Sequence, residues 1–376
     1  MLQVVPRLDT GGAERSTIEI AGALAREGFL PLVASEGGRM LPELAQAGGE
    51  WIALPADAKT PHTLLANALR LRTLIRTRNI EIIHARSRAP AWSSLWASRM
   101  TGIPFVTTYH GSYTSGSALK RFYNSVMARG DAVIANSQWT ATHIRAQYAF
   151  TPKRLVTIPR GIDLSHFDPA NVTQERIEEL RKFWGVQPGE TVILLPGRLT
   201  HWKGQEVLIA AIALLARENA LRGVRAVLAG DAQGRTAYEQ ELRTAIAVAG
   251  LKDHVTIAGH ISDMPAAYLA ADIVVSASTQ EEAFGRVAAE ASAMGRAVVA
   301  TDHGGARETV VPGSTGLLVA PGDSRQLADA LRSLVAASAA ERSAMGARGR
   351  AHIARNYTVE RMCADTLALY RELLDA

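Results

Sequence analysis

Two glutamates eight residues apart, Glu282 and Glu290, lie in a stretch whose residue types suit a hydroxyl-rich, anionic ligand (DIVVSASTQEEAFGRVAAEASAMGRAVVATDHGG, 272–305). Carboxylates accept hydrogen bonds from paired hydroxyls. The backbone amides of Phe284, Gly285 and Arg286, at the start of a helix, favour negative charge between them. If helical geometry ran through the whole interval, the two carboxylates would stand about 12 Å apart along the axis. Two solvated acids at a helix start would give the same spacing. Upstream, Pro196-Gly197-Arg198 and Lys203-Gly204 bring a planar fork and a point charge to one helix start, suited to phosphate oxygens. Solvated cations near a helix N-cap are the plainer reading of that pair. His110, in Tyr109-His110-Gly111, follows an apolar run, and Gly11-Gly12 precede a helix where amides can approach an anion. That glycine pair is not the G-x-G-x-x-G fingerprint, which argues against an NAD enzyme.

The elements that must position these residues follow from the hydrophobic pattern. Leu2 to Val5 reads as a strand and Ala13 to Arg26 as an amphipathic helix. Strands are expected at about 30–35, 81–84, 104–108 and 131–135, with helices around 62–78, 90–101, 118–129 and 137–148. Segments 40–54 and 155–158 add a helix and edge strands. After a polar helix, Gln174 to Trp184, strands at about 191–195, 224–229, 254–258, 272–276, 297–301 and 315–319 alternate with helices. Those helices are expected near 203–218, 237–250, 264–271, 285–294, 306–311 and 324–337, and two more near 340–355 and 358–374 close the chain. Alternation of this kind is the pattern of α/β doubly wound parallel sheets, whose ligands sit at strand C-termini. The polar residues at those ends are therefore site candidates: His84, Arg86, Ser87 and Arg88; His110; and Asn136-Ser137, which also reads as a helix cap.

The run Glu282-Ala-Phe-Gly285, with Glu290, Ala300-Thr301 and Gly304-Gly305 in order after it, resembles the signature of glycosyltransferase family 4. The resemblance extends over nearly the whole chain, since Tyr109-His110-Gly111, Pro159-Arg160-Gly161-Ile162-Asp163, Arg198 and Lys203 all fall at matching places. It implies the GT-B fold, two Rossmann-like doubly wound domains facing a cleft. Residues 1–165 would form the acceptor-side domain, 166–356 the nucleotide-sugar domain, and 357–376 a helix crossing back to the first. It further implies a retaining, metal-independent hexosyltransferase in which His110, Arg198, Lys203 and Glu282 act at the reacting sugar and diphosphate. Gly12, Phe284, Gly285, Arg286, Glu290, Gly259 and His260 would bind the donor, a UDP- or GDP-linked sugar, and no cofactor is implied. Relatives often carry an aliphatic residue where this chain has Arg286, whose guanidinium would read a carboxylate or extra hydroxyls or point to solvent.

Composition narrows the partners. The 376 residues carry a formal net charge of +5, unevenly: residues 1–163 hold 19 Lys and Arg against 11 Asp and Glu. A basic first half suits an anionic partner, such as a membrane surface or a phosphorylated acceptor. No zinc-finger spacing, aromatic RNA-binding motif or basic tail points to nucleic acid. The Arg-rich segment 70–99, with Leu69, Leu71, Leu74 and Ile75 interleaved, either lies on a bilayer or turns its apolar face to the core. The single Cys363 excludes an internal disulfide and sits at helical spacing. No run reaches about 18 apolar residues and no signal-like segment is seen, so a cytoplasmic enzyme, peripheral at the inner membrane of a bacterium, is expected. Its acceptor would be a lipopolysaccharide core or other cell-surface glycan. A sugar-nucleotide epimerase and a non-catalytic sugar-nucleotide binder remain the alternatives.

Overall fold

The computed structural model describes residues 1–375 apart from positions 10, 112, 114, 115, 149, 151 and 235. The chain divides into two compact units, Met1–Gly161 with Val359–Ala376, and Ile162–Thr358.

In the first unit the order is β1 (Leu2–Val4), α1 (Gly12–Arg26), β2 (Leu32–Ser35), α2 (Leu41–Gln46), β3 (Glu50–Ala53), α3 (Pro61–Thr77) and β4 (Ile83–Ala85). It continues with α4 (Arg88–Thr101), β5 (Phe105–Tyr109), α5 (Ala118–Asn124), β6 (Ala132–Ala135), α6 (Gln138–Gln147) and β7 (Leu155–Thr157). The seven strands form one parallel sheet in the order β3-β2-β1-β4-β5-β6-β7. Inner strands such as β5 and β6 are buried at every position, as strands covered on both faces must be. The edge strand β3 alternates half-buried with exposed residues. The Ser137 hydroxyl accepts from the Thr140 amide and caps α6.

The second unit runs α7 (Gln174–Phe183), β8 (Thr191–Pro196), α8 (Gln205–Arg217), β9 (Val224–Ala229), α9 (Thr236–Val248), β10 (Val255–Gly259) and α10 (Met264–Ala270). It ends with β11 (Ile273–Ser276), α11 (Arg286–Ala293), β12 (Ala297–Thr301), α12 (Ala306–Thr309), β13 (Leu317–Val319), α13 (Ser324–Ala336) and α14 (Ala339–Asn356). Its sheet has the order β10-β9-β8-β11-β12-β13, again all parallel.

The last helix, α15 (Val359–Leu374), belongs to the first unit. Met362, Leu367, Leu369 and Tyr370 pack there against Ile20 and Leu24 of α1, together with Cys363, whose thiol burial pushes its pKa up to about 12. Cys363 is thus a packing residue. His84, a polar strand-end candidate, is fully buried inside β4: its Nδ1 meets the Tyr370 hydroxyl at 2.6 Å and its Nε2 the Thr108 hydroxyl at 2.7 Å. Burial holds it neutral, well below the ordinary histidine range, so it is a structural residue.

The basic segment follows the second of its two readings, an apolar face turned to the core. Leu71 and Ile75 of α3 lie in the core, Arg78 pairs with Glu50, and Arg86 is buried. Of the large apolar side chains of α3, Leu65 and Leu69 are the exposed ones. Of the four interleaved residues, only Leu69 is exposed, so little of that pattern is free to meet a bilayer.

Candidate functional site

In a doubly wound sheet the ligand site falls at strand C-termini where the strand order reverses. In the second unit that place is between β8 and β11, which are direct neighbours flanked by β9 and β12. Beyond β8 the chain makes a single 3-10 turn, His201–Lys203, and enters α8 through Gly204. Gly204 has φ 74°, and a Cβ there would stand 1.9 Å from the Ala277 carbonyl oxygen. Only glycine lets this turn sit against the loop after β11. The two loops are also joined by the Thr279 amide donating to the Trp202 carbonyl at 2.7 Å.

That approach pairs two of the predicted residues. Lys203 Nζ lies 2.8 Å from Glu282 Oε1, with the side chains only 12% and 17% exposed, and the Ser278 hydroxyl donates to the same oxygen. Burial pushes the Glu282 carboxyl up, but the Lys203 charge and these hydrogen bonds outweigh it and hold the group below the usual carboxylate range. The backbone of Glu282 is fixed by Gly304-Gly305. The Gly305 amide donates to the Glu282 carbonyl at 2.8 Å, and a Cβ on Gly304 would come within 2.3 Å of that oxygen. These glycines are thus more than a turn: they carry Glu282.

Helix α11 begins only at Arg286, after Gly285 in the left-handed region. The interval from Glu282 to Glu290 is therefore not continuous helix, and the axial spacing expected from the sequence does not apply. Glu290 is 6% exposed, with Oε2 accepting from the Tyr268 hydroxyl at 2.8 Å and Oε1 from the Arg286 guanidinium at 2.5 and 3.0 Å. Arg286 thus turns back on Glu290, one helical turn away. The Phe284 ring is buried in the core against Tyr357, which leaves its backbone for any ligand. Arg198 has an exposed side chain, and its carbonyl accepts from Gln205. Gly259 ends β10 with φ 72° and His260 is exposed. Among the described residues no hydrogen bond or ion pair ties either to the Lys203–Glu282 group.

The first unit gathers its own polar group at its switch point, β1 beside β4. Gly12 opens α1, and a Cβ there would meet Arg160 Nη1 at 1.9 Å. Arg160 Nη2 donates to His110 Nδ1 at 2.9 Å. Burial, with the Arg160 and Arg86 charges nearby, keeps His110 neutral, well below its ordinary pKa. The sequence singled out Gly12 and His110 but treated Arg160 as part of a linker, and Arg86 was only one of several polar strand-end residues. The signal available was position: Arg86 directly follows β4 and Arg160 closely follows β7. Among the described residues one cluster, exposed His201, Glu206 and Glu241, could approach a metal ion. Its two carboxylates face different ring nitrogens of His201, at 3.3 and 3.8 Å, which reads as an ionic bridge.

Each of the two units in the chain is thus a parallel doubly wound sheet with its polar residues gathered at the switch point. The family model described as Glycosyltransferase Family 4 matches residues 10–166, and that described as Glycosyl transferases group 1 matches residues 176–352. The chain is 30% identical over 328 residues to the D-inositol 3-phosphate glycosyltransferase of Pseudarthrobacter chlorophenolicus, covering 84% of this chain and 76% of that protein. It is 32% identical over 252 residues to the lipopolysaccharide core biosynthesis mannosyltransferase LpsB of Rhizobium meliloti, covering 66% and 68%. Among solved structures it is similar to a glycosyltransferase from Rickettsia africae ESF-5 (TM-score 0.89, 34% identity, 99% and 98% covered). It is also similar to the Anabaena protein Alr3699/HepE solved with UDP and glucose (TM-score 0.84, 26% identity, 99% of each chain). The chain belongs to glycosyltransferase family 4.

Proposed function

We propose that this protein transfers a hexose from a nucleotide diphosphate donor to a hydroxyl of a glycan or glycolipid, with retention at the anomeric carbon and without a metal ion. The observation that carries the reading is the Lys203–Glu282 pair at 2.8 Å, held at the β8–β11 switch point by glycines that admit no side chain. Lys203 and Arg198 supply positive charge for the diphosphate, Lys203 exchanging its bond to Glu282 for one to phosphate. The Phe284, Gly285 and Arg286 amides add their donors. Glu282 accepts hydroxyls of the transferred sugar, and Glu290, oriented by Tyr268 and Arg286, accepts those of the ribose. Gly259 and His260 border the base. The family resemblance gives Gly12 and His110 to the donor's phosphate and sugar.

In the reaction the bond from the anomeric carbon to the diphosphate oxygen breaks. A bond to the acceptor oxygen forms on the same face, and the acceptor proton passes to the departing phosphate. No side-chain base is required. The UDP and glucose bound by the Anabaena protein favour a UDP-linked donor over a GDP-linked one. The name of the Rhizobium relative, with the basic balance of residues 1–163, favours a lipopolysaccharide core or similar envelope glycan at the cytoplasmic face of a bacterial inner membrane. Peripheral contact there would use exposed Leu65 and Leu69 with Arg70, Arg72 and Arg76; no helix of the described residues is long and apolar enough to cross a membrane.

The test is transfer from UDP-hexose to a core oligosaccharide by Lys203→Ala. Transfer should fall about 10²–10³-fold with the circular dichroism spectrum kept, as for loss of one transition-state donor. Full activity in that variant would end the assignment.

A further inference from the structure

Glu290 is the residue placed on the ribose, yet most of its acceptor sites are spent on the protein's own groups. A carboxylate offers about four such sites, two on each oxygen. Oε1 takes two donors from the Arg286 guanidinium, Nη2 at 2.5 Å and Nε at 3.0 Å. Oε2 takes the Tyr268 hydroxyl at 2.8 Å. Burial and the Glu290 charge push the Tyr268 phenol well up from its ordinary pKa, so it stays protonated and stays a donor. About one site is left, whereas the 2′- and 3′-hydroxyls of a ribose bring two protons. The diol is fully accepted only once the Arg286 guanidinium has moved.

Of the three groups, Arg286 is the one that can leave. Its side chain is 42% exposed and that of Glu290 only 8%. Tyr268 is fully buried, in the core with Phe167, Ala267 and Ala288. Arg286 is also the first residue of α11, so its charge sits at the positive end of that helix dipole. Arginine at i with glutamate at i+4 is, for the same reason, the less favourable order of such a pair. The guanidinium is rooted beside the Phe284, Gly285 and Arg286 amides, where a helix start favours an anion.

We propose that Arg286 is a stand-in for the ribose: it occupies Glu290 until a nucleotide binds, is displaced by the diol, and then turns to the diphosphate of the same ligand. This deepens the transferase reading above and rests on it, since that reading gives Glu290 to the ribose and the α11 amides to the diphosphate. A nucleoside must displace Arg286 and gives the guanidinium no new partner. A nucleoside diphosphate displaces it and supplies phosphate oxygens that match its planar fork. Arg286 thereby selects nucleoside diphosphates over nucleosides, a role that an aliphatic side chain at this position cannot fill.

The experiment is isothermal titration calorimetry of uridine and UDP, at pH 8 and fixed ionic strength, on the natural chain and on Arg286→Leu. Uridine should bind the variant severalfold more tightly, because the occupant it has to displace is gone. UDP should bind the variant about tenfold more weakly, because a charge-assisted contact to phosphate is lost. The two affinities thus move in opposite directions. Were Arg286 only a prop that orients Glu290, both ligands would weaken alike; were it a bystander in solvent, neither would change. Either result overturns the proposal. Arg286→Gln, which is polar but uncharged, carries the same two expectations should the leucine variant fail to fold. If GDP binds in place of UDP, guanosine and GDP take the same two arms. Failure of both diphosphates to bind the natural chain refutes the transferase reading itself. A diphosphate that binds the natural chain, with its ratio to the nucleoside unchanged in the variant, removes only the role of Arg286.

Discussion

Replacing Lys203 by Met should invert the pH response of the second unit. In the natural protein Glu282 has a depressed pKa. Its contribution is therefore full above its ordinary value of 4.5 and is lost as pH falls through the lower folded value. Without the Lys203 charge, burial is left as the largest influence, and the folded carboxyl titrates above 4.5 instead. The variant then gains stability as pH falls from 7 to 5. Removing one partner of a buried pair costs about 3–5 kcal/mol. With 12% and 17% exposure, water relieves part of this, so we expect about 2 kcal/mol at pH 7, or ~4–8 °C in melting temperature for a unit of this size. Lys203 also lies 4.5 Å from the Trp202 ring centre, an attraction whose loss does not vary over this pH range. Thermal melting of Lys203→Met, Glu282→Gln and the double variant between pH 5 and 7 separates the two. The deficit of Lys203→Met should shrink on acidification, and the double variant should be more stable than the sum of the singles implies. A deficit that is constant with pH, or strictly additive, would refute the reasoning.

Three further outcomes follow from the geometry. Gly204→Ala adds a Cβ 1.9 Å from the Ala277 oxygen at φ 74°, so it should lose about 1–3 kcal/mol and most transfer activity; natural melting behaviour would contradict the close approach. Tyr370→Phe leaves His84 Nδ1 buried without its 2.6 Å partner and should destabilise the first unit by about 1–3 kcal/mol, read by urea unfolding. Charge reversal of Arg70, Arg72 and Arg76 to Glu should release the protein from anionic liposomes in a sedimentation assay, with unchanged partitioning removing the membrane contact.

Elements with a local signal were legible in the sequence. The strands expected at 224–229 and 297–301 are β9 and β12 to the residue, because buried apolar runs bounded by polar turns leave little choice. The α5 pattern was overextended, since residues 125–128 tighten into a 3-10 turn. What depends on pairing across the chain was not legible. Lys203 and Glu282 are 79 residues apart and meet only because β8 and β11 are adjacent. Arg86 looks like one more basic residue in a basic segment until β4 places it beneath the switch point. The Arg286–Glu290 pair did have a local signal, opposite charges at i and i+4. The helical ruler between Glu282 and Glu290 failed because helix geometry was extended through a left-handed glycine.

The most direct test of the central claim is thermal melting with UDP, GDP and ADP, on the natural chain and on Glu290→Ala. A nucleotide at about a hundred times its dissociation constant adds roughly 2.7 kcal/mol, several degrees for units of this size. The account predicts a rise with a uridine or guanosine diphosphate that Glu290→Ala abolishes. No rise with any of the three would contradict it.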